Sequence, residues 1–126
     1  EDIIHILLDR LITHDLSKYS NDELDLISGK SKLDTIAYGS DEYSAALLNI
    51  QSAVVNHYVN NDHHPEHHSN GISEMTLLQL LEMLADWKAA SKDLKKSFDI
   101  NIKRFNISPE LQTILWNTVL ELDWDN

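Results

Sequence analysis

Five of the seven histidines in this 126-residue chain fall in one stretch, His57-Tyr-Val-Asn-Asn-Asp-His63-His64-Pro65-Glu66-His67-His68. Imidazole is the commonest transition-metal ligand among side chains, and carboxylates complete hard or borderline sites. The tract is internal and interleaved with Pro, Glu and Asp, which sets it apart from a terminal tag. A second pair, His14-Asp15, lies far upstream. Adjacent side chains diverge by ~100° on a helix, yet both reach one ion at a helix end. Lys18 stands four residues after His14, on the same face of a continuing helix, where an ammonium holds a phosphate as a point charge. Asp86 is the third element, set in a Leu- and Met-rich run just before Trp87. An acid there faces solvent or has a cation for a partner. Glu82, four residues earlier, shares its face and keeps the solvated alternative open.

Spacing sorts the histidines further. His57 and His64 are seven residues apart and align within roughly 20° on a continued helix, with Asn61 on the same side. His63 points elsewhere unless the helix has ended by then, so the choice between His63 and His64 stays open. His5 lies nine residues before His14, nearly half a turn away on one continuous helix. It reads as a packed or surface histidine.

The elements that must position these groups are helical. Ile3, Ile4, Leu7, Leu8 and Leu11 form one helical face from Asp2 to about Thr13. Asn21-Asp22-Glu23 caps a short helix ending near Gly29. Ser40 opens a long helix through Ala46, Leu47, Ile50, Val54 and His57, which must end before Pro65. A polar loop spans about 60–73. Ser73 or Glu74 then starts a helix with Met75, Leu78, Leu81, Met83, Leu84 and Trp87 on its apolar face, predicted to run to about Ser97. Ser108-Pro109 starts the last helix, with Ser as cap and Pro at the first helical position. No segment alternates with period two. The expectation is a single all-α domain of about five helices covering 1–126.

Composition limits the function classes. Ten Lys and Arg against 21 Asp and Glu give a net charge of −11. Such a surface repels phosphate backbones, which argues against nucleic acid as a general partner, and it concentrates cations. With no cysteine, disulfides, zinc ribbons and thiol catalysis are excluded. No apolar run could span a bilayer and no secretory signal is visible, so no membrane partner is expected and the default location is cytoplasmic.

Taken together, His14-Asp15-Leu16-Ser17-Lys18, His63-His64-Pro65-Glu66-His67 and Glu82-Met83-Leu84-Ala85-Asp86-Trp87 resemble the HD-domain superfamily of metal-dependent phosphohydrolases. The finer likeness is to short, uncharacterised HD-like proteins of bacteriophages and bacteria, and it runs from about Leu11 to about Ala90. The resemblance implies an all-helical fold around one or two divalent metal ions (Mn, Fe, Mg, Co or Zn). His14 and Asp15 would be the namesake pair, with Asp15 placed to bridge two metals. Asp86 would be the closing aspartate, with His57 and His63 or His64 as the extra histidines of two-metal members. It further implies hydrolysis of a small phosphorylated substrate, such as a nucleotide, by metal-activated water. Lys18 would neutralise phosphate charge, and Glu66 or a spare histidine would move protons. HD domains also carry a histidine on a helix upstream of the His-Asp pair; here only His5 is available, at short spacing. The Gly-Tyr-Pro string of the related cyclic-dinucleotide phosphodiesterases is absent. Two other readings accompany the hydrolase: a di-iron oxygenase of the same superfamily, and a non-catalytic binding module whose metal is structural.

Overall fold

Side-chain caps set where the helices begin in the computed structural model, which describes residues 2–16 and 35–126. Five α-helices and no strand are present among the described residues, the all-α class expected of an HD-like fold. They are α1 (Ile3–Thr13), α2 (Asp41–Asn60), α3 (Leu77–Ala90), α4 (Leu94–Arg104) and α5 (Pro109–Glu121). Two single-turn 3-10 helices, Pro65–His67 and Gly71–Glu74, lie between α2 and α3. The short helix expected after Asn21 lies outside the described residues. No helix among the described residues is long and apolar enough to cross a membrane. The chain forms two compact units, Glu1–Asp62 and His63–Asn126.

In the first unit the Asp2 side chain accepts a hydrogen bond from the His5 backbone N–H at 3.0 Å, capping α1. That bond holds the Asp2 carboxyl below its ordinary value. Gly39, with φ of 79°, takes the left-handed turn that Ser40 needs ahead of α2. Ser40 then accepts from the Tyr43 N–H at 3.1 Å, and Asp41 and Glu42 complement the positive end of the helix dipole. The two helices are tied at their far ends. Arg10 of α1 donates to Asp62, just past α2, with Nη2 2.6 Å from Oδ1. The apolar face read from the sequence is helical, but Ile3, Ile4 and Leu11 are 60%, 66% and 72% exposed, so α1 contributes nothing to a core.

The core belongs to the second unit. Leu80, Met83, Leu84 and Trp87 of α3 pack with Leu94 and Phe98 of α4, Ile107, and Leu115 and Val119 of α5. Trp87 stacks on Phe105 with centroids 6.2 Å apart, and Phe98 meets Trp116 at 5.0 Å. A capping box opens α3: Gln79 N–H donates to Thr76 Oγ1, and the Thr76 N–H donates back to Gln79 Oε1.

The helix expected from Ser73 to Ser97 is in fact α3 and α4, broken after Ala90. The Asp93 side chain accepts from the Lys96 N–H at 3.1 Å and so starts a new helix there. The break turns the chain, and Leu94 and Phe98 enter the core on a separate element. Both α4 and α5 end in Schellman turns. Ile107 N–H donates to Ile102 O and Asn106 N–H to Lys103 O; Trp124 and Asp123 repeat the pattern on Val119 and Leu120. The left-handed residues are Asn106 (φ 50°) and Asp123 (φ 58°), types that tolerate this region.

Candidate metal centre

Each unit carries a cluster of its own. In the first, Asp15 sits just beyond the end of α1 with φ of 51°, a left-handed backbone that aspartate accepts more readily than most residues. The turn carries its carboxylate inward, and the residue is only 6% exposed. One oxygen, Oδ2, is 3.2 Å from His14 Nε2, and the other, Oδ1, is 3.6 Å from His57 Nε2. His57 arrives from the last turn of α2. Asn61, capping that helix, donates from Nδ2 to the His57 carbonyl at 2.8 Å and lies 3.3 Å from the ring Nδ1. Nε2 is thereby the ring nitrogen presented to Asp15.

The second cluster forms where the chain leaves α2 for the first 3-10 turn. His63 is 1% exposed, and its ring lies 4.3 Å from that of His64, centroid to centroid. Glu82 and Asp86 stand one turn apart on α3, Glu82 beside the His63 ring and Asp86 beside both. His63 Nδ1 is 3.1 Å from Glu82 Oε1. On its other side, His63 Nε2 is 3.9 Å from Asp86 Oδ2, and His64 Nε2 is at the same distance from that oxygen. A separation of 3.9 Å is too long for a hydrogen bond. It is nevertheless within the ~4.2 Å span of two donors that each bind one ion at ~2.1 Å. The 3.6 Å between His57 and Asp15 fits the same test.

The donor chemistry also fits a divalent cation. Burying the Asp15 carboxylate without compensating positive charge is costly, and the two imidazoles beside Asp15, like the two beside Asp86, supply donors rather than fixed charge. Among the described residues, the groupings of His, Asp and Glu able to hold a metal draw on two sets. They are His14, Asp15, His57 and Asp62 of the first unit, and His63, His64, Glu82 and Asp86 of the second. Clustered side chains able to coordinate one or two divalent ions are thus present.

The sequence from residue 2 to residue 121 matches the model of a family of unknown function, DUF5662. The chain belongs to this family. No curated protein and no solved structure matches it. The DUF5662 match spans both clusters, while its description carries no reaction.

Of the residues singled out in this DUF5662 chain, His14, Asp15 and His57 come together in the first unit, and His63, His64 and Asp86 in the second. Both His63 and His64 face Asp86, each with Nε2 3.9 Å from Oδ2. Glu66 belongs to none of the metal-competent groupings; it accepts from Arg104 Nη2 at 2.7 Å, which anchors the turn after His64 to the end of α4. Lys18 lies outside the described residues. His5 pairs with Asp2 at 2.9 Å on the surface. His67 and His68 contact each other and belong to none of the metal-competent groupings among the described residues. Sequence reasoning missed Glu82 as a partner of His63. Its four-residue spacing from Asp86 was the available signal, and a solvated face accounts for that spacing equally well.

Proposed function

We propose that this protein is a metal-dependent phosphohydrolase of the HD type. In this reading His14, Asp15 and His57 of the first unit, and His63, His64 and Asp86 of the second, supply ligands for one or two divalent ions. The observation that supports it best is the buried Asp15 carboxylate, which turns one oxygen toward each of two imidazoles, the disposition of a bridging ligand. Bound ions would supply Lewis acidity toward a phosphoryl oxygen and would acidify a water. The chain's own side chains do the rest by holding and orienting. Asn61 holds the His57 ring from behind, and a left-handed turn after α1 presents the Asp15 carboxylate. On sequence position alone, Lys18 is the group proposed to neutralise a substrate phosphate. On the same basis Glu66, which accepts from Arg104, or a spare histidine is proposed to move protons.

The test is release of inorganic phosphate from a panel of phosphomonoesters that includes nucleotides. Metal-free protein is reloaded with Mn, Mg or Co under anaerobic conditions. Turnover that depends on the added ion and not on dioxygen supports the proposal. Turnover that requires both iron and dioxygen points to an oxygenase. No turnover with metal fully bound points to a binding module.

A further inference from the structure

The Glu82–His63 pair sits on the side of the ring away from Asp86, and that arrangement has a chemical consequence. A neutral imidazole carries one proton, on Nδ1 or on Nε2, and only the nitrogen without it can donate a lone pair to a metal. His63 is fully buried, so water does not decide between the two forms. Its Nδ1 is 3.1 Å from Glu82 Oε1, within hydrogen-bond range. An ionised carboxylate only accepts, so this contact places the proton on Nδ1. Nε2 is left as the lone-pair nitrogen, on the side where Asp86 Oδ2 lies 3.9 Å away and His64 Nε2 lies equally far from that oxygen. Glu82 is itself well placed to hold the ring: it is one turn before Asp86 on α3, and its neighbours Met83 and Leu84 are locked in the core.

We infer that Glu82 is a positioning residue for His63: it fixes the Nδ1–H tautomer and the ring orientation, so that His63 binds metal through Nε2. The inference rests on the reading of His63 and Asp86 as metal ligands, but the tautomer it asserts is a property of the metal-free protein. The proton stays on Nδ1 throughout, and no bond to carbon is made or broken.

Two measurements test it. The first uses the metal-free wild-type protein near pH 8, well above the ordinary imidazole pKa of about 6.5. Long-range proton–nitrogen correlation spectra assign the His63 ring nitrogens. The expected result is a protonated Nδ1 and a pyridine-like Nε2; a protonated Nε2, or an imidazolium, overturns the inference. No variant is needed, so misfolding cannot confound this result. The second is titration of Mn or Co into wild type, Glu82→Ala, and His63→Ala as control. Loss of an outer partner of a ligating histidine weakens metal binding by about 10- to 100-fold. Glu82→Ala is expected in that range, with its His63 signal moved toward the other tautomer and its helical circular dichroism retained. Wild-type affinity in Glu82→Ala, while His63→Ala loses the metal, overturns the role of Glu82 and leaves the ligand reading standing. Wild-type affinity in His63→Ala overturns the ligand reading itself.

Discussion

Replacing Asp15 by Asn separates the charge of this residue from everything else it does. Asparagine keeps the side-chain volume and, like aspartate, tolerates the left-handed backbone at φ 51°, so the turn after α1 is preserved. What is lost is an anionic oxygen between His14 and His57. Even at the dielectric constant of water, a unit charge ~2.1 Å from a dication is worth about 4 kcal/mol, nearly three decades in Kd. A hundredfold weakening is therefore a conservative floor. At a metal concentration one hundred times the wild-type Kd, linkage stabilises the wild type by about 2.7 kcal/mol, against about 0.4 kcal/mol for the variant. For a chain of this size the difference lowers Tm by roughly 10 °C.

The assay is thermal unfolding followed by circular dichroism, with and without a chelator. In chelator the order changes: Asp15→Asn equals or exceeds the wild type, because a 6%-exposed carboxylate no longer has to be buried as an anion. Asp15→Ala serves as the backbone control. Alanine tolerates the left-handed region poorly, at about 1–2 kcal/mol, so it should melt below Asp15→Asn in both buffers. If Asp15→Asn loses as much Tm in chelator as in metal, the carboxylate holds the fold rather than an ion, and the reasoning fails.

Other outcomes follow from the same contacts. His57→Ala and Asp86→Ala should each lower the metal bound at saturation, read by elemental analysis, while His5→Ala and His68→Ala, outside the metal-competent groupings of the described residues, should retain it. Leu84→Ala removes a side chain with no exposed surface and should cost about 2–5 kcal/mol in denaturant unfolding, with or without metal. Asn106→Val places a β-branched residue at φ 50° and should destabilise the protein by about 1–2 kcal/mol, whereas Asn106→Gly should hold or raise Tm.

Much of the helical layout is legible because caps act locally. Ser40 and Ser108-Pro109 mark their helix starts within a few residues, and the structure shows the bonds that make them caps. The break between α3 and α4 was harder to see. Apolar spacing continues across Ser91-Lys92-Asp93, and a cap at Asp93 competes with simple continuation of the helix. Turning the chain there buries Leu94 and Phe98, a gain in tertiary packing that no local window contains. The face of α1 fails in the opposite way. Its periodicity predicts the helix correctly, but periodicity says which residues share a side and not what covers them. Ile3, Ile4 and Leu11 accordingly stay exposed.

The site divides along the same line between local and distant information. His14-Asp15 and the histidine tract announce themselves by residue type, since few other roles gather imidazoles and carboxylates so closely. Asp86 was legible only as an acid in an apolar helix, and the alternatives could not be weighed until His63 and His64 were seen to face it. Glu82 was least legible. Its spacing from Asp86 predicts a shared face, and the structure shows that face turned to two histidines instead of to solvent. On one helix turn, Asp86 lies at ligand-to-ligand distance from two ring nitrogens, while Glu82 lies at hydrogen-bond distance from one. A metal site needs both kinds of contact, because a histidine that can rotate or exchange tautomers is a weaker ligand than one already set. The 3.1 Å and 3.9 Å separations distinguish them where sequence spacing does not.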